Sequence, residues 1–342
     1  MKKGVLIYPC KEGEIFNIGD YVQSIAARQF IGIPDIFIDR EHLNYPLDTS
    51  VGLIANGWYM HHPENWPPNE NIYPLFVALH INKLAEKSLL SPESIIYLKQ
   101  FQPIGCRDYH TVRILKEVGI EAYFSGCLTL TLGITYQRTS PSDTVYFTDL
   151  NPDIRKNIRF LAKCAWNYIS KYSLIKQIQK QMKRCGIQRS MKFSVALYST
   201  YSNVIDDALF LQAVYKKQEI ENNFNSEEEK FSYADSLLRE YAKAKFVITS
   251  RIHCALPCLA IGTPVLYVDN QNLSEIHNCR LDGLRQLFHK IIIRSNHITC
   301  ELKKNNEKID SNFSFSNKKD YMPLANQLTD KCRKFADILN RK

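Results

Sequence analysis

Arg251 and His253 stand two residues apart where a strand-like run, Phe246-Val247-Ile248-Thr249, passes through Ser250 into an apolar helical stretch ending at Ile261-Gly262. One side chain carries a fixed positive charge and the other exchanges a proton near neutral pH, so the pair suits chemistry on an anion. Gly262-Thr263-Pro264 leads on into Val265-Leu266-Tyr267-Val268. The whole reads as strand, loop, helix, strand, with Ser250 as the expected N-cap and Gly262 as the stop. In an open α/β sheet, strand carboxyl ends and the starts of the following helices border the ligand crevice, which places Ser250, Arg251 and His253 at a ligand edge. Pro257 cannot donate the hydrogen bond that the carbonyl of His253 would accept in a regular helix, so a kink or an irregular start is expected there.

A second set lies near the start. Asn17-Ile18-Gly19-Asp20 follows the first strand-like run and opens a helix, where unpaired N–H groups and the helix dipole favour an anion. Gly19 admits a close backbone approach, and Asp20 either caps the helix or acts as a base beside a substrate. Four other strand ends repeat the theme: Asn56-Gly57-Trp58, His80, Arg107-Asp108 and Ser125-Gly126-Cys127. With parallel strands all of these point into one crevice. Arg107 has an alternative partner in Asp108, and His80 an alternative place in the core. Trp58, Tyr59, His61, His62 and Trp66 make an aromatic, imidazole-rich loop that suits stacking on a sugar ring or packing of the loop itself.

The elements that must position these residues alternate. Strands are expected at Val5 to Tyr8, Asp35 to Asp39, Val51 to Ala55, Leu75 to His80, Pro103 to Cys106 and Glu121 to Ser125, with helices at Asp20 to Ile31 and Tyr109 to Val118. This is the pattern of a mostly parallel sheet with helices on its faces. After a polar linker, Tyr136 to Asp143, the pattern restarts. Expected there are a strand at Val145 to Thr148, a long helical region from about Ile154 to Cys185, a strand within Lys192 to Tyr198, a helix from Tyr233 to Lys243 and a last strand at Lys290 to Ile293. The layout predicts an N-terminal α/β domain over 1–136, a second over 143–299, and a tail over 300–342. In the tail, Cys300 to Ser316 reads as a polar surface loop and Tyr321 to Leu339 as a helix able to dock on either domain.

At 342 residues, 45% hydrophobic and 23% charged, the chain has the make-up of a globular protein. Its net charge of +9 favours an acidic partner, whether a phosphorylated substrate, an anionic glycan or a membrane surface, although Lys and Arg read as spread over the predicted helices. No basic stripe interleaved with aromatics speaks for nucleic acid. Ten cysteines without a CxxC spacing fit buried free thiols in a reducing cytoplasm better than disulfides or a zinc site. The start imitates a signal peptide, but its apolar core ends at Lys11, and no apolar run approaches the length of a membrane span. A cytoplasmic protein is expected, with peripheral contact at the inner face of a membrane compatible with the charge.

Thr249-Ser250-Arg251-x-His253 with Gly262-Thr263-Pro264-Val265, together with Asn17-x-Gly19-Asp20 and Gly105-x-Arg107-Asp108, resembles the polysaccharide pyruvyl transferase family. The likeness runs over roughly residues 4 to 293 and is most specific at 241 to 268. It implies a GT-B-like fold of two Rossmann-like domains facing a central cleft. It also implies phosphoenolpyruvate as donor substrate and a pyruvate ketal on a sugar of a cell-surface glycan or its lipid-linked precursor. By this resemblance Arg251 and His253 match the donor-site arginine and histidine. His253 in its cationic form is then the expected acid, Arg251 a holder of phosphate or carboxylate, Arg107 a holder of the other end, and Asp20 a base or acceptor-orienting group. Asn17, Gly19, Asn56, Trp58, His80 and Ser250 complete the expected substrate contacts. The scheme requires no metal or cofactor, and no Asp-x-Asp motif is present. Around Ser125-Gly126-Cys127 the family pattern has an acidic residue that this chain lacks, so no role is carried there. Two other readings remain open at this point: a nucleotide-sugar glycosyltransferase of the same architecture and a non-catalytic glycan-binding protein.

Overall fold

The computed structural model describes residues 1–153, 158–274, 278–295, 297–304 and 307–341. In the first half, strands run at Lys2–Ile7 (β1), Ile15–Asn17 (β2), Ile36–Asp39 (β3), Val51–Tyr59 (β4), Ile72–Ile81 (β5), Ile104–Cys106 (β6) and Ala122–Phe124 (β7). All but β2 form one parallel sheet in the order β3-β1-β4-β5-β6-β7. In the second half, strands run at Val145–Thr148 (β8), Val214–Lys216 (β9), Glu219–Glu221 (β10), Phe246–Thr249 (β11), Val265–Asn270 (β12), His289–Arg294 (β13) and His297–Cys300 (β14). Their sheet runs β14-β13-β12-β11-β8-β9 and is parallel except for the β13/β14 pair. The expected α/β class with parallel sheets is what the chain adopts.

The helices are Ile18–Ile31 (α1), Glu86–Leu89 (α2), Pro92–Lys99 (α3), Tyr109–Glu117 (α4), Ile158–Ser170 (α5), Tyr172–Arg184 (α6), Met191–Tyr201 (α7), Asp207–Gln212 (α8), Glu227–Ala242 (α9), Ile252–Ile261 (α10) and Met322–Arg341 (α11). Between the sheets, α1 and a 3-10 helix at Leu128–Ile134 meet α9 and α10 in one continuous buried cluster. A second cluster lies on the other face of the second sheet, under α6, α7 and α8. The halves are also stitched by backbone: β2 and β10 pair antiparallel, Asn17 opposite Glu219, Phe16 opposite Ile220 and Ile15 opposite Glu221. This ribbon brings the start of α1 against the residues that follow β9.

Three expectations are corrected and a fourth is decided. Lys192 to Tyr198 is not a strand but the middle of α7, capped by the Ser190 hydroxyl, which accepts from the Phe193 N–H at 3.2 Å. Residues 194 to 201 are all buried, so the helix shows no polar face, and the alternating Phe193, Val195 and Leu197 imitate a strand. The long helical region is two helices broken at Lys171; its expected first residues, 154–157, lie outside the described residues. The segment after Cys300 is not all surface: Ile309 is fully buried and bridges to Ile205, and Phe313 and Phe315 pack on Phe246. The last helix, α11, takes the first of the two docking sides left open for it, with Leu339 over Gly52, Phe335 stacked on Tyr73 at 5.9 Å and Leu324 against Gly126.

Close approach of the two halves depends on Gly133. A Cβ there would lie 2.3 Å from the carbonyl oxygen of Ala260 in α10, a backbone atom with no rotamer to escape into. Gly133→Ala should therefore lower stability by about 1–3 kcal/mol, read as a drop in melting temperature. Alanine is the better helix former, so a variant as stable as the parent would mean that the interface gives way without cost.

Candidate active site

Both sheets present strand carboxyl ends toward the ribbon. Arg251, directly after β11, is the N-cap residue of α10, and its N–H donates to the Thr249 hydroxyl at 3.0 Å. Ser250 is thus not the cap; its hydroxyl donates instead to the carbonyl of Asp149. The Arg251 guanidinium is gripped by two carboxylates, Asp149 at 2.9 Å and Glu219 at 2.7 Å. Burial would lower its pKa, but these two neighbours raise it above the ordinary value, so its charge is fixed. Asp149 follows β8 at φ 43°, a left-handed conformation that costs a non-glycine residue roughly 1 kcal/mol.

Pro257 does sit inside α10, and the gap it creates is filled from outside the helix. The side-chain amide of Gln218, just after β9, donates to the carbonyl of His253 at 3.1 Å. The Gln218 N–H donates to Asp149 at 2.9 Å, and its carbonyl accepts from the N–H of Ile18 at the head of α1, at 2.8 Å. One buried residue therefore ties Asp149, α10 and α1 together.

His253 faces the first half. A Cβ on Gly19 would come within 2.9 Å of His253 Cβ and 3.2 Å of its Nδ1, so only glycine allows α1 and α10 to meet here. Arg107 Nη1, at the end of β6, lies 3.4 Å from His253 Nε2 and 3.4 Å from the Gln23 side-chain oxygen. A guanidinium only donates, so Nε2 accepts and the imidazole is neutral. Burial and the guanidiniums of Arg107, Arg280 and Arg251 push the His253 pKa well below its usual value. The expectation of a cationic His253 is corrected here: burial disfavours its charge, and of the three arginines only Arg251 is held by carboxylates.

The remaining expected residues divide. Asn17, rather than Asp20, caps α1, accepting from the Gly19 N–H at 3.0 Å. Asp20 lies in the first turn, 3.0 Å from the Gln23 amide and 3.9 Å from Arg40, and burial raises its pKa despite Arg40 and Arg107. Asn56 donates to the Gln23 carbonyl at 3.1 Å while its own side-chain oxygen is buried without a partner. Trp58 sits beside His80 across β4 and β5, its ring 5.2 Å from the Arg40 guanidinium and 4.4 Å from the His61 ring. Trp66 and Tyr59, by contrast, pack in the core edge to face. His80 Nδ1 and Asp108 are 2.6 Å apart, both fully buried, and Asp108 also caps α4 through the Thr111 N–H at 2.8 Å. Burial would raise the Asp108 pKa, but the His80 hydrogen bond and charge, with Arg107, hold it below the usual value. His80 is lowered, chiefly by burial, with Arg107 and Arg280 opposing its charge.

Five residues of the neighbourhood escaped the sequence reading: Arg40, Asp149, Gln218, Glu219 and Arg280. Arg40, buried behind Asp20, lies over Tyr8 at 4.5 Å and pairs with Glu41 at 2.9 Å. Arg280 acts electrostatically on Asp20, His80, Arg107, Arg251 and His253, and repulsion among these cations adds to burial in lowering its own pKa. Neither Arg107 nor Arg280 has a carboxylate partner among the described residues, and the Nε of each is buried with no hydrogen bond. Arg107 is buried and Arg280 half-buried, and a guanidinium withdrawn from water without counter-charge is strongly destabilising.

An α/β protein with a buried, under-neutralised cationic site at the strand ends of two parallel sheets is defined by this geometry. Residues 17–272 match the family profile described as Polysaccharide pyruvyl transferase, and the chain belongs to that family. The match spans every residue named in this site except Tyr8 and Arg280. No curated protein matches the chain.

The lowered His253 pKa has a signed consequence. The unfolded chain takes up this proton near pH 6.5 and the folded one only well below it. The histidine's contribution to stability is therefore complete above about pH 6.5 and is lost as the pH falls from there toward the folded pKa. Denaturant unfolding between about pH 7 and pH 5 should show a steeper loss for the parent than for His253→Asn. Parallel curves would mean that His253 titrates normally.

Proposed function

We propose that the protein transfers a pyruvyl group from phosphoenolpyruvate to a sugar as a cyclic ketal in the assembly of a cell-surface polysaccharide. In this reading residues 1–136 and 143–299 are two Rossmann-like domains of GT-B type, the first carrying the acceptor side and the second the donor side. The observation that carries it is the pair of arginines, Arg107 buried and Arg280 half-buried, without a carboxylate in ion-pair contact among the described residues, beside a neutral His253 in a member of the pyruvyl transferase family. Phosphoenolpyruvate brings a carboxylate and a phosphate, two groups that guanidiniums bind through paired hydrogen bonds.

Donor binding also sets the protonation state. Negative charge beside His253 offsets Arg107, Arg280 and Arg251 and raises the imidazole pKa, so the acid is loaded by the substrate it will protonate. His253 then delivers a proton to the methylene carbon, leaving an oxocarbenium-like centre at C2 that the first sugar hydroxyl attacks. Departure of phosphate regenerates a cationic centre, and the second hydroxyl closes the ketal. Of the two hydroxyl protons, one replaces that given to the new methyl group and the other leaves with phosphate. Asp20, whose pKa burial raises, suits a group that takes a hydroxyl proton and passes it on. Trp58 and His61 at the end of β4 suit a sugar face. The acceptor is a sugar, lipid-linked in the fullest form of this proposal, and no further cofactor enters it.

The test is incubation with phosphoenolpyruvate and candidate sugar acceptors, following phosphate release and a product heavier by one pyruvate less water. His253→Ala should cut turnover by about 100-fold or more. Consumption of a sugar nucleotide with phosphoenolpyruvate untouched would instead identify a glycosyltransferase, and activity that survives His253→Ala would remove the histidine from the chemistry.

A further inference from the structure

The positive charge of this chain is concentrated rather than spread. Between residues 154 and 205 the sequence holds eleven Lys or Arg and no Asp or Glu, while elsewhere 33 basic and 35 acidic residues nearly cancel. Most of these residues lie on helices, as expected, but in one stretch of the chain. The described part of this segment folds as α5, α6 and α7.

In this segment α5 is built inside out. Its buried residue is polar, Asn167, whose amide donates to the Ser199 hydroxyl at 2.9 Å. The opposite side carries Ile158, Leu161, Trp166 and Ile169, which are 83, 57, 69 and 76% exposed. Positions 158, 161, 162, 165, 166 and 169 recur at helical spacing and form one apolar stripe, with Ala162 and Ala165 between the large side chains. Arg159 and Lys163 border it. Immediately after, α6 buries Ile175, Ile178 and Met182 and turns Lys176, Lys180 and Lys183 outward, where with Arg189 they line an open groove of about 570 Å³.

We propose that this surface docks the protein on an anionic lipid bilayer, with α5 lying in the headgroup plane and its apolar stripe at the acyl boundary. A helix with one large apolar face, aromatic residues and basic flanks is the form that binds such an interface. Neighbouring lysines add attraction to anionic headgroups. A second copy of the chain is the poorer occupant, because it would bring together two surfaces whose charged residues within 158–205 are all basic. A nucleic acid would match the charge but leave Ile158, Leu161 and Ile169 in water. The inference needs neither the donor nor the acceptor of the proposed reaction, so it stands or falls separately from that reading.

The full-length protein is mixed with vesicles of phosphatidylcholine and with vesicles of phosphatidylcholine containing phosphatidylglycerol, at low and high salt. Expected are binding to the anionic vesicles alone, weakening by salt, and a blue shift in tryptophan emission that Trp166→Phe abolishes. Leu161→Glu/Ile169→Glu should abolish binding with circular dichroism and melting temperature unchanged, since both side chains are exposed. Lys176→Gln/Lys180→Gln/Lys183→Gln should weaken it roughly 100-fold at low salt. The proposal is overturned by no binding to either vesicle, by equal binding to both, or by a Leu161→Glu/Ile169→Glu variant that binds like the parent. It is equally overturned if those glutamates dissolve a dimer that never bound vesicles, or if single-stranded RNA displaces the vesicles and its own binding survives the glutamates.

Discussion

Two guanidiniums withdrawn from water, Arg107 buried and Arg280 half-buried, with no carboxylate in ion-pair contact among the described residues, are the constraint around which this site is organised. Removing a charge from water is costly, and the usual remedy is a carboxylate at hydrogen-bonding distance. Arg251 has two such partners and Arg40 has Asp20 and Glu41, whereas Arg107 and Arg280 feel Asp20 only at longer range and, among the described residues, make no ion pair. Burial and the field of these arginines keep His253 uncharged. In the proposed reaction the negative charge of the donor would offset this field and let the histidine take up a proton.

Holding like charges together requires a scaffold that does not yield, and the ribbon between β2 and β10 supplies it. Gln218, at its edge, spends its N–H on Asp149, its carbonyl on α1 and its amide on α10. Asp149 in turn orients Arg251. The glycines at 19 and 133 let α1 and the 3-10 helix approach α10 at backbone distance, so groups from opposite halves of the chain meet across 3.4 Å between Arg107 and His253. Geometry at the site therefore follows from contacts between the halves as much as from either sheet.

Much of this was legible where a residue's chemistry coincided with a strand end. Val145 to Thr148 and Phe246 to Thr249 begin and end as read, and Arg107, Asp20, Gly19 and His253 gather as the parallel-sheet rule requires. Asp149 and Arg40 follow strands that were also read, so the same rule applied to every strand end would have found them. Gln218 and Glu219 follow β9, a three-residue strand too short to carry a pattern. Arg280 comes ten residues after β12, beyond the reach of any rule about the first turn. The lost strand at Lys192 to Tyr198 has a different cause: a helix buried on all sides has no periodicity to read, and burial depends on partners distant in the chain. Protonation was the least legible property, because the state of His253 depends on three arginines from three separate loops.

Pro257 and Gln218 illustrate a dependence that reaches beyond one molecule. The proline is tolerated because an amide thirty-nine positions earlier fills the vacancy it leaves, and the amide is retained in the dark between two sheets because the proline is there. An ordinary residue at 257 would close the helix on itself and orphan the glutamine's donor, while an apolar residue at 218 would orphan the histidine's carbonyl. Selection should see these as one character: across descendants of this sequence the two positions should change together or stay as they are.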